Sequence, residues 1–128
     1  MKLTIHILKD QYAICKLHSD PVIQDWIKEP LFFSITRTDD EWSVVCRQSR
    51  LPANAEESSP DWRILRLSGP LDFSLVGIIA HISEILKNAD IPIFTISTYR
   101  TDYILVKNDH LEKAVQNLRS AGHKVTYL

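Results

Sequence analysis

Three glycines in 128 residues leave little material for a loop that cradles phosphate, and none of them falls in a P-loop or a G-x-G-x-x-G pattern. The nucleophile turn G-x-S-x-G is absent as well. Two cysteines, Cys15 and Cys46, are too few for a disulfide framework. They form no C-x-x-C, and both read as buried thiols inside strands. Of the five histidines, only His81 stands three residues from an acid, Glu84, and that pair reads as a solvated helix face rather than a metal site. No apolar run approaches the roughly 20 residues that span a bilayer. A net charge of −1 gives no general attraction to nucleic acid or acidic lipid. The first six residues alternate at period two and lack the continuous apolar core of a signal peptide. The expectation is a cytoplasmic protein with no metal, no cofactor, no nucleic-acid partner and no membrane partner.

What is present is ordinary globular material, 45% apolar and 24% charged. Residues 2–8 and 12–17 alternate as strands and suggest an opening hairpin. Asp20-Pro21 fits a helix start, and Val22, Ile23, Trp26 and Ile27 predict a short helix over 21–28. Residues 32–36 and 42–46 are two further strands. Residues 48–61, with Pro52, Pro60 and several acids and serines, read as a linker. This divides the chain into a small strand-rich half, 1–61, and a half at 62–128.

The second half is more regular. A strand over 62–67 precedes a helical stripe at Leu75, Ile78, Ile79, Ile82, Ile85, Leu86 and Ala89, which Asp72 or Ser74 can cap. A hairpin over 93–107 follows. Asp109 with Glu112 signals a second helix carrying Leu111, Ala114, Val115 and Leu118, with Gly122 past its end and a last strand over 124–128. The order β-α-β-β-α-β predicts an α+β, ferredoxin-like split βαβ sheet with two helices on one face. Ile104 with Val106 on one face, and Tyr103 with Leu105 on the other, ask for a second cover.

The corner of that hairpin, Thr98-Tyr99-Arg100-Thr101, has no Gly, Asn or Pro, so turn chemistry alone does not account for it. It reads either as a packed corner in which Asp102 caps a backbone amide, or as a ligand edge. The start of the first long helix, over 72–77, should lie beside it. Free N–H groups there suit a carboxylate, and Asp102 suits an ammonium, so a zwitterion such as an amino acid could use both. Gly77 inside the first helical turns would cost about 1 kcal/mol against Ala, which a close neighbour would explain.

The run Gly69-Pro70-Leu71-Asp72-Phe73 with Val76-Gly77-Ile78, then Ile96-Ser97-Thr98-Tyr99 and Thr101-Asp102-Tyr103-Ile104-Leu105-Val106, resembles the ACT-domain family in its CASTOR-like branch of amino-acid sensors. His6-Ile7-Leu8, Phe32-Phe33-Ser34-Ile35-Thr36 and Trp42-Ser43-Val44-Val45 extend the resemblance into the first half, which then reads as a degenerate ACT-like unit. The resemblance implies a non-catalytic regulatory module that binds a free amino acid between neighbouring ACT units. By position it implies ligand contacts at Asp72, Phe73, Ser74, Val76, Gly77, Thr98, Tyr99 and Asp102. The sensors of that branch carry four ACT units, and this chain has two at most. A complete site therefore implies a homodimer, with a regulated protein as a further partner. Two alternatives are a ligand-free interaction module and, more remotely, an acylphosphatase-like enzyme.

Overall fold

The computed structural model describes residues 2–26, 28–68 and 76–128. Its strands are β1 (Thr4–Ile7), β2 (Tyr12–Leu17), β3 (Ser34–Arg37), β4 (Trp42–Arg47), β5 (Glu57–Ser68), β6 (Phe94–Ser97), β7 (Asp102–Lys107) and β8 (Lys124–Tyr127). The α-helices are α1 (Ile78–Asn88) and α2 (Leu111–Ser120). The chain divides into two compact units, Met1–Lys9 with Arg63–Leu128, and Asp10–Trp62.

The larger unit contains the expected β-α-β-β-α-β run as β5-α1-β6-β7-α2-β8. Its strand order is β8-β1-β5-β7-β6. The place of β1 differs from the sequence reading. It pairs antiparallel with β5, Ile5 opposite Leu67, and parallel with β8, Ile5 opposite Val125. Ile5 and Ile7 are fully buried with Ile82, Leu86, Ala114 and Leu118 in one aliphatic core. The first nine residues therefore pack with the C-terminal half rather than with the remainder of 1–61. The two opening strands form no hairpin: each pairs with a different segment of β5.

The helix ends follow local chemistry. α1 starts at Ile78, with Gly77 before it at φ 83°. Gly77 thus stands outside the helix, in the left-handed region that glycine enters at least cost. A Cβ there would meet nothing within 4 Å, so backbone conformation, not crowding, explains the glycine. The expected caps Asp72 and Ser74, and the stripe residue Leu75, lie outside the described residues. The box expected from Asp109 and Glu112 does not form. A 3-10 turn, Asn108–His110, runs straight into α2, and no side chain caps it. Past α2, Gly122 has φ 96°, as expected. Its N–H reaches Arg119 O at 3.0 Å, and His123 N–H reaches Leu118 O at 3.1 Å. This is a Schellman ending. Ile104 and Val106 lie in the aliphatic core, and Leu105, on the alternate face, is fully buried too.

The smaller unit is antiparallel, in the order β3-β4-β2 and then the first part of β5. Cys15, Leu17, Trp26, Val44 and Cys46 form its core. The helix expected over 21–28 is reduced to a three-residue 3-10 turn, Ile23–Asp25. Val22 and Ile23 face solvent while Trp26 is buried, so the apolar stripe does not share one buried face, and one turn cannot repay helix nucleation. The linker expected over 48–61 also changes. After a 3-10 turn at Gln48–Arg50 the chain enters β5 at Glu57. Pairing of Ser58 with Cys15 and Trp62 with Tyr12 makes this polar segment a strand. Pro60 and Asp61 sit at the register shift between those pairs, where a missing N–H and a φ of 68° are tolerated.

Candidate functional site

Chain direction brings the site's parts to one end of the larger unit. α1 feeds into β6, and β6 runs to the corner, so the start of α1 lies at the corner's end of the sheet. β5 also ends there, at Ser68, and one bond ties corner to strand end: Thr101 Oγ1 donates to the carbonyl of Leu67. Two further bonds close the turn within the corner. Thr98 N–H donates to Thr101 O at 2.8 Å, and Thr101 N–H donates to Thr98 Oγ1 at 3.3 Å. These threonine bonds replace the Gly or Asn a turn usually needs.

Asp102 opens β7, half-buried. Its Oδ1 accepts the Ser97 hydroxyl at 2.6 Å. The amide-capping role of the plainer reading falls instead to Thr98. Ser97 and Asp102 are directly paired across the two strands, so a hydroxyl beside an acid is built in by register. Ser97 and Thr101 are not among the expected contacts. Their signal is the two-residue alternation about the corner, which sets Ser97 opposite Asp102.

Of the eight expected ligand contacts, Asp72, Phe73 and Ser74 lie outside the described residues. Thr98, Tyr99 and Asp102 share the corner. Val76 and Gly77 stand at the start of α1, at the same end of the sheet. Val76 is 89% exposed and Tyr99 is 84% exposed, so both present apolar surface to solvent. The first helical bond, His81 N–H to Gly77 O, leaves the preceding N–H groups of α1 outside the helix ladder.

A hollow lies elsewhere. An open groove of about 690 Å³ runs along α1 to the α1–β6 turn, past Ala80, Ser83, Glu84, Lys87, Ile91 and Ile93. Its charged residues are exposed and its mouth is wide. Among the described residues no buried polar group lines it to fix a ligand, so the corner carries the better chemistry.

Both thiols are buried and neither is in a disulfide. Burial pushes Cys46 up to about 12 and raises Cys15 as well. No group of three or more potential metal ligands occurs among the described residues. Among those residues no helix is long and apolar enough to cross a membrane.

A family model described as an ACT domain matches residues 57–120, half of the chain. The chain belongs to the ACT-domain family. A second family model, of an N-terminal domain, matches residues 10–54. The human protein named cytosolic arginine sensor for mTORC1 subunit 1 is 32% identical over 95 residues. That match covers 69% of this chain but 29% of the relative, so the chain spans less than a third of the sensor's length. A crystal structure from Agrobacterium tumefaciens superposes with a TM-score of 0.88 at 34% identity, covering 100% of this chain and 95% of that one. The ligand-free regulatory subunit of aspartate kinase from Thermus thermophilus has a TM-score of 0.67 at 12% identity, over 95% and 99% of the two chains. That last likeness concerns the fold alone.

Proposed function

We propose that this chain is a non-catalytic, cytoplasmic regulator that binds a free amino acid at an ACT–ACT interface of a homodimer and passes occupancy to a protein partner. The observation that carries this reading is the placement of Asp102 at the same end of the sheet as the start of α1. The carboxylate supplies a counter-charge for an ammonium, and the first amides of the helix suit a carboxylate. Ser97 and Thr98 hold the acid and the corner in place without being charged themselves. The arginine sensor supports a sensing role with an amino acid as ligand.

The test is a thermal-shift screen against the twenty amino acids at millimolar concentration. A ligand at 100 times its Kd adds about 2.7 kcal/mol, which raises the melting point by roughly 10 °C in a domain near this size. Asp102→Asn should then weaken the hit by about tenfold or more while leaving the ligand-free melting point nearly unchanged. Unchanged affinity in that variant would remove Asp102 from the site. A second reading is a ligand-free oligomerisation module, favoured by the exposed Val76 and Tyr99 at this same end. A tight dimer whose melt ignores every amino acid supports that reading instead.

A further inference from the structure

His123, just ahead of β8, is 4% exposed. Its ring is engaged from two sides. The N–H of Leu3 donates to Nδ1 at 3.0 Å. Nε2 lies 2.9 Å from Nε2 of His81, in the first turn of α1, with the rings edge to face and their centroids 5.0 Å apart.

These contacts fix both tautomers. A backbone N–H can only donate, so Nδ1 of His123 holds a lone pair and its proton sits on Nε2. That Nε2–H donates to His81, whose Nε2 accepts and whose own proton sits on Nδ1. A proton added to His123 arrives on Nδ1, facing the Leu3 N–H. That sets donor against donor at hydrogen-bond distance, so His123 does not become a cation without breaking a bond.

We propose that the His81–His123 pair is a proton-operated latch, which when neutral ties the start of β1 to β8 and to the first turn of α1, and when protonated lets go of Leu3. Leu3 has two ties to the start of β8: its carbonyl accepts Lys124 N–H at 3.0 Å, and its N–H meets His123. Protonation removes the second. On the other side, His81 is the residue whose N–H closes the first turn of α1 onto Gly77. The latch therefore joins the inserted strand to the helix start that neighbours the corner.

The charged and titratable groups on the elements that meet here are Glu84 and Lys87 on α1, Lys2 ahead of β1, His6 on β1, Lys124 on β8, and Glu112, Lys113 and Arg119 on α2. Glu84, Lys2 and Lys124 are exposed, and Arg119 donates to Val125 O at 2.7 Å. Burial, then the charge of His81, then the chain's amino terminus lower the pKa of His123, with no carboxylate opposing them. A folded value below the unfolded one means that the unfolded chain binds the proton more readily. The latch's stability is thus complete above about pH 6.5 and is lost as pH falls from there through the folded value.

The experiment is nitrogen-15 NMR of the imidazoles, with amide exchange at Leu3, on the full ligand-free chain from pH 8 to pH 5. The expected result is an unprotonated Nδ1 on His123 at pH 8. Protection of the Leu3 amide, corrected for its intrinsic rate, then falls about tenfold for each unit by which folding lowers the pKa. His123→Asn keeps an acceptor near the Leu3 N–H and cannot titrate, so its Leu3 protection should stay level across the range. A proton on Nδ1 of His123 at pH 8, or level Leu3 protection in the unmodified chain, overturns the proposal, and neither result depends on the variant folding.

Discussion

The two units solve the same problem, closing a small sheet, with different materials. The larger one lays two helices on its sheet and fills the space with Ile, Leu and Val. The smaller one has no α-helix among its described residues and uses sulfur, indole and a buried charge cluster. Glu29 is at the centre of that cluster, its side chain 2% exposed. Arg47 Nε donates to Oε2 at 2.6 Å and Nη2 to Oε1 at 3.1 Å, a two-pronged pair, while Arg50 Nε reaches Oε1 at 3.2 Å. Trp26 Nε1 donates to Arg50 O at 3.3 Å, which joins the cluster to the core. A unit too small to bury enough apolar surface has replaced a missing helix with polar ties, which hold geometry at a cost in desolvation.

The largest expected effect concerns the sulfur in the smaller unit. A thiol moved from 9.0 to about 12 is roughly a thousandfold poorer in thiolate at neutral pH. A disulfide reagent at pH 8 should leave Cys46 unlabelled in the native chain and label it promptly in denaturant. Fast native labelling would mean that this core opens readily, and the comparison of two closed units would fail. The sign for stability follows: a raised folded pKa contributes below about pH 9 and is lost as pH rises through the folded value near 12.

Next come the two cores themselves. Leu86 is fully buried on α1, and Leu86→Ala should cost about 2–5 kcal/mol, measured by urea unfolding. Glu29→Gln keeps the shape and removes the charge, leaving two guanidinium groups poorly matched. Arg47 is 34% exposed and Arg50 is 53% exposed, so water offsets part of the loss and about 1–3 kcal/mol is expected. A Glu29→Gln cost under about 0.5 kcal/mol would show that the charge cluster does not substitute for a helix. A double-mutant cycle of Glu29→Gln with Arg47→Met would isolate the pair's own share.

What can be read from sequence follows the same division. Period-two alternation finds β2 and β4, and the stripe from Ile78 to Leu86 finds α1, because those signals are local. The family pattern points to the corner residues, but the bonds Ser97–Asp102 and Thr98–Thr101 inside it come from strand register, which the sequence reading did not anticipate. Three further features are not legible, each because it depends on residues far apart. Residues 57–61 are a strand through pairing with β2, not through their own polar composition. β1 belongs with β8 across more than a hundred residues, and no local pattern reports that. His81 and His123 are 42 residues apart, and each alone looks like an ordinary histidine.

The smallest expected effect compares two helix ends within the larger unit. α1 closes with the same pair of bonds as α2: Asp90 N–H to Lys87 O at 2.9 Å and Ile91 N–H to Leu86 O at 3.0 Å. At the left-handed position, however, α2 has Gly122 at φ 96° and α1 has Asp90 at φ 58°. An L side chain there costs about 1 kcal/mol, reduced somewhat for Asp, whose carboxylate bonds locally. Asp90→Gly should therefore stabilise the chain by roughly 0.5 kcal/mol, since the relief exceeds the extra entropy of an unfolded glycine. Gly122→Ala should cost about 1 kcal/mol at an end that is otherwise open, as nothing lies within 4 Å of the added Cβ. Opposite signs from matched urea titrations would establish that the αL position sets both ends. If Asp90→Gly destabilises instead, the Asp side chain contributes a bond that outweighs its strain, and the two ends differ in kind.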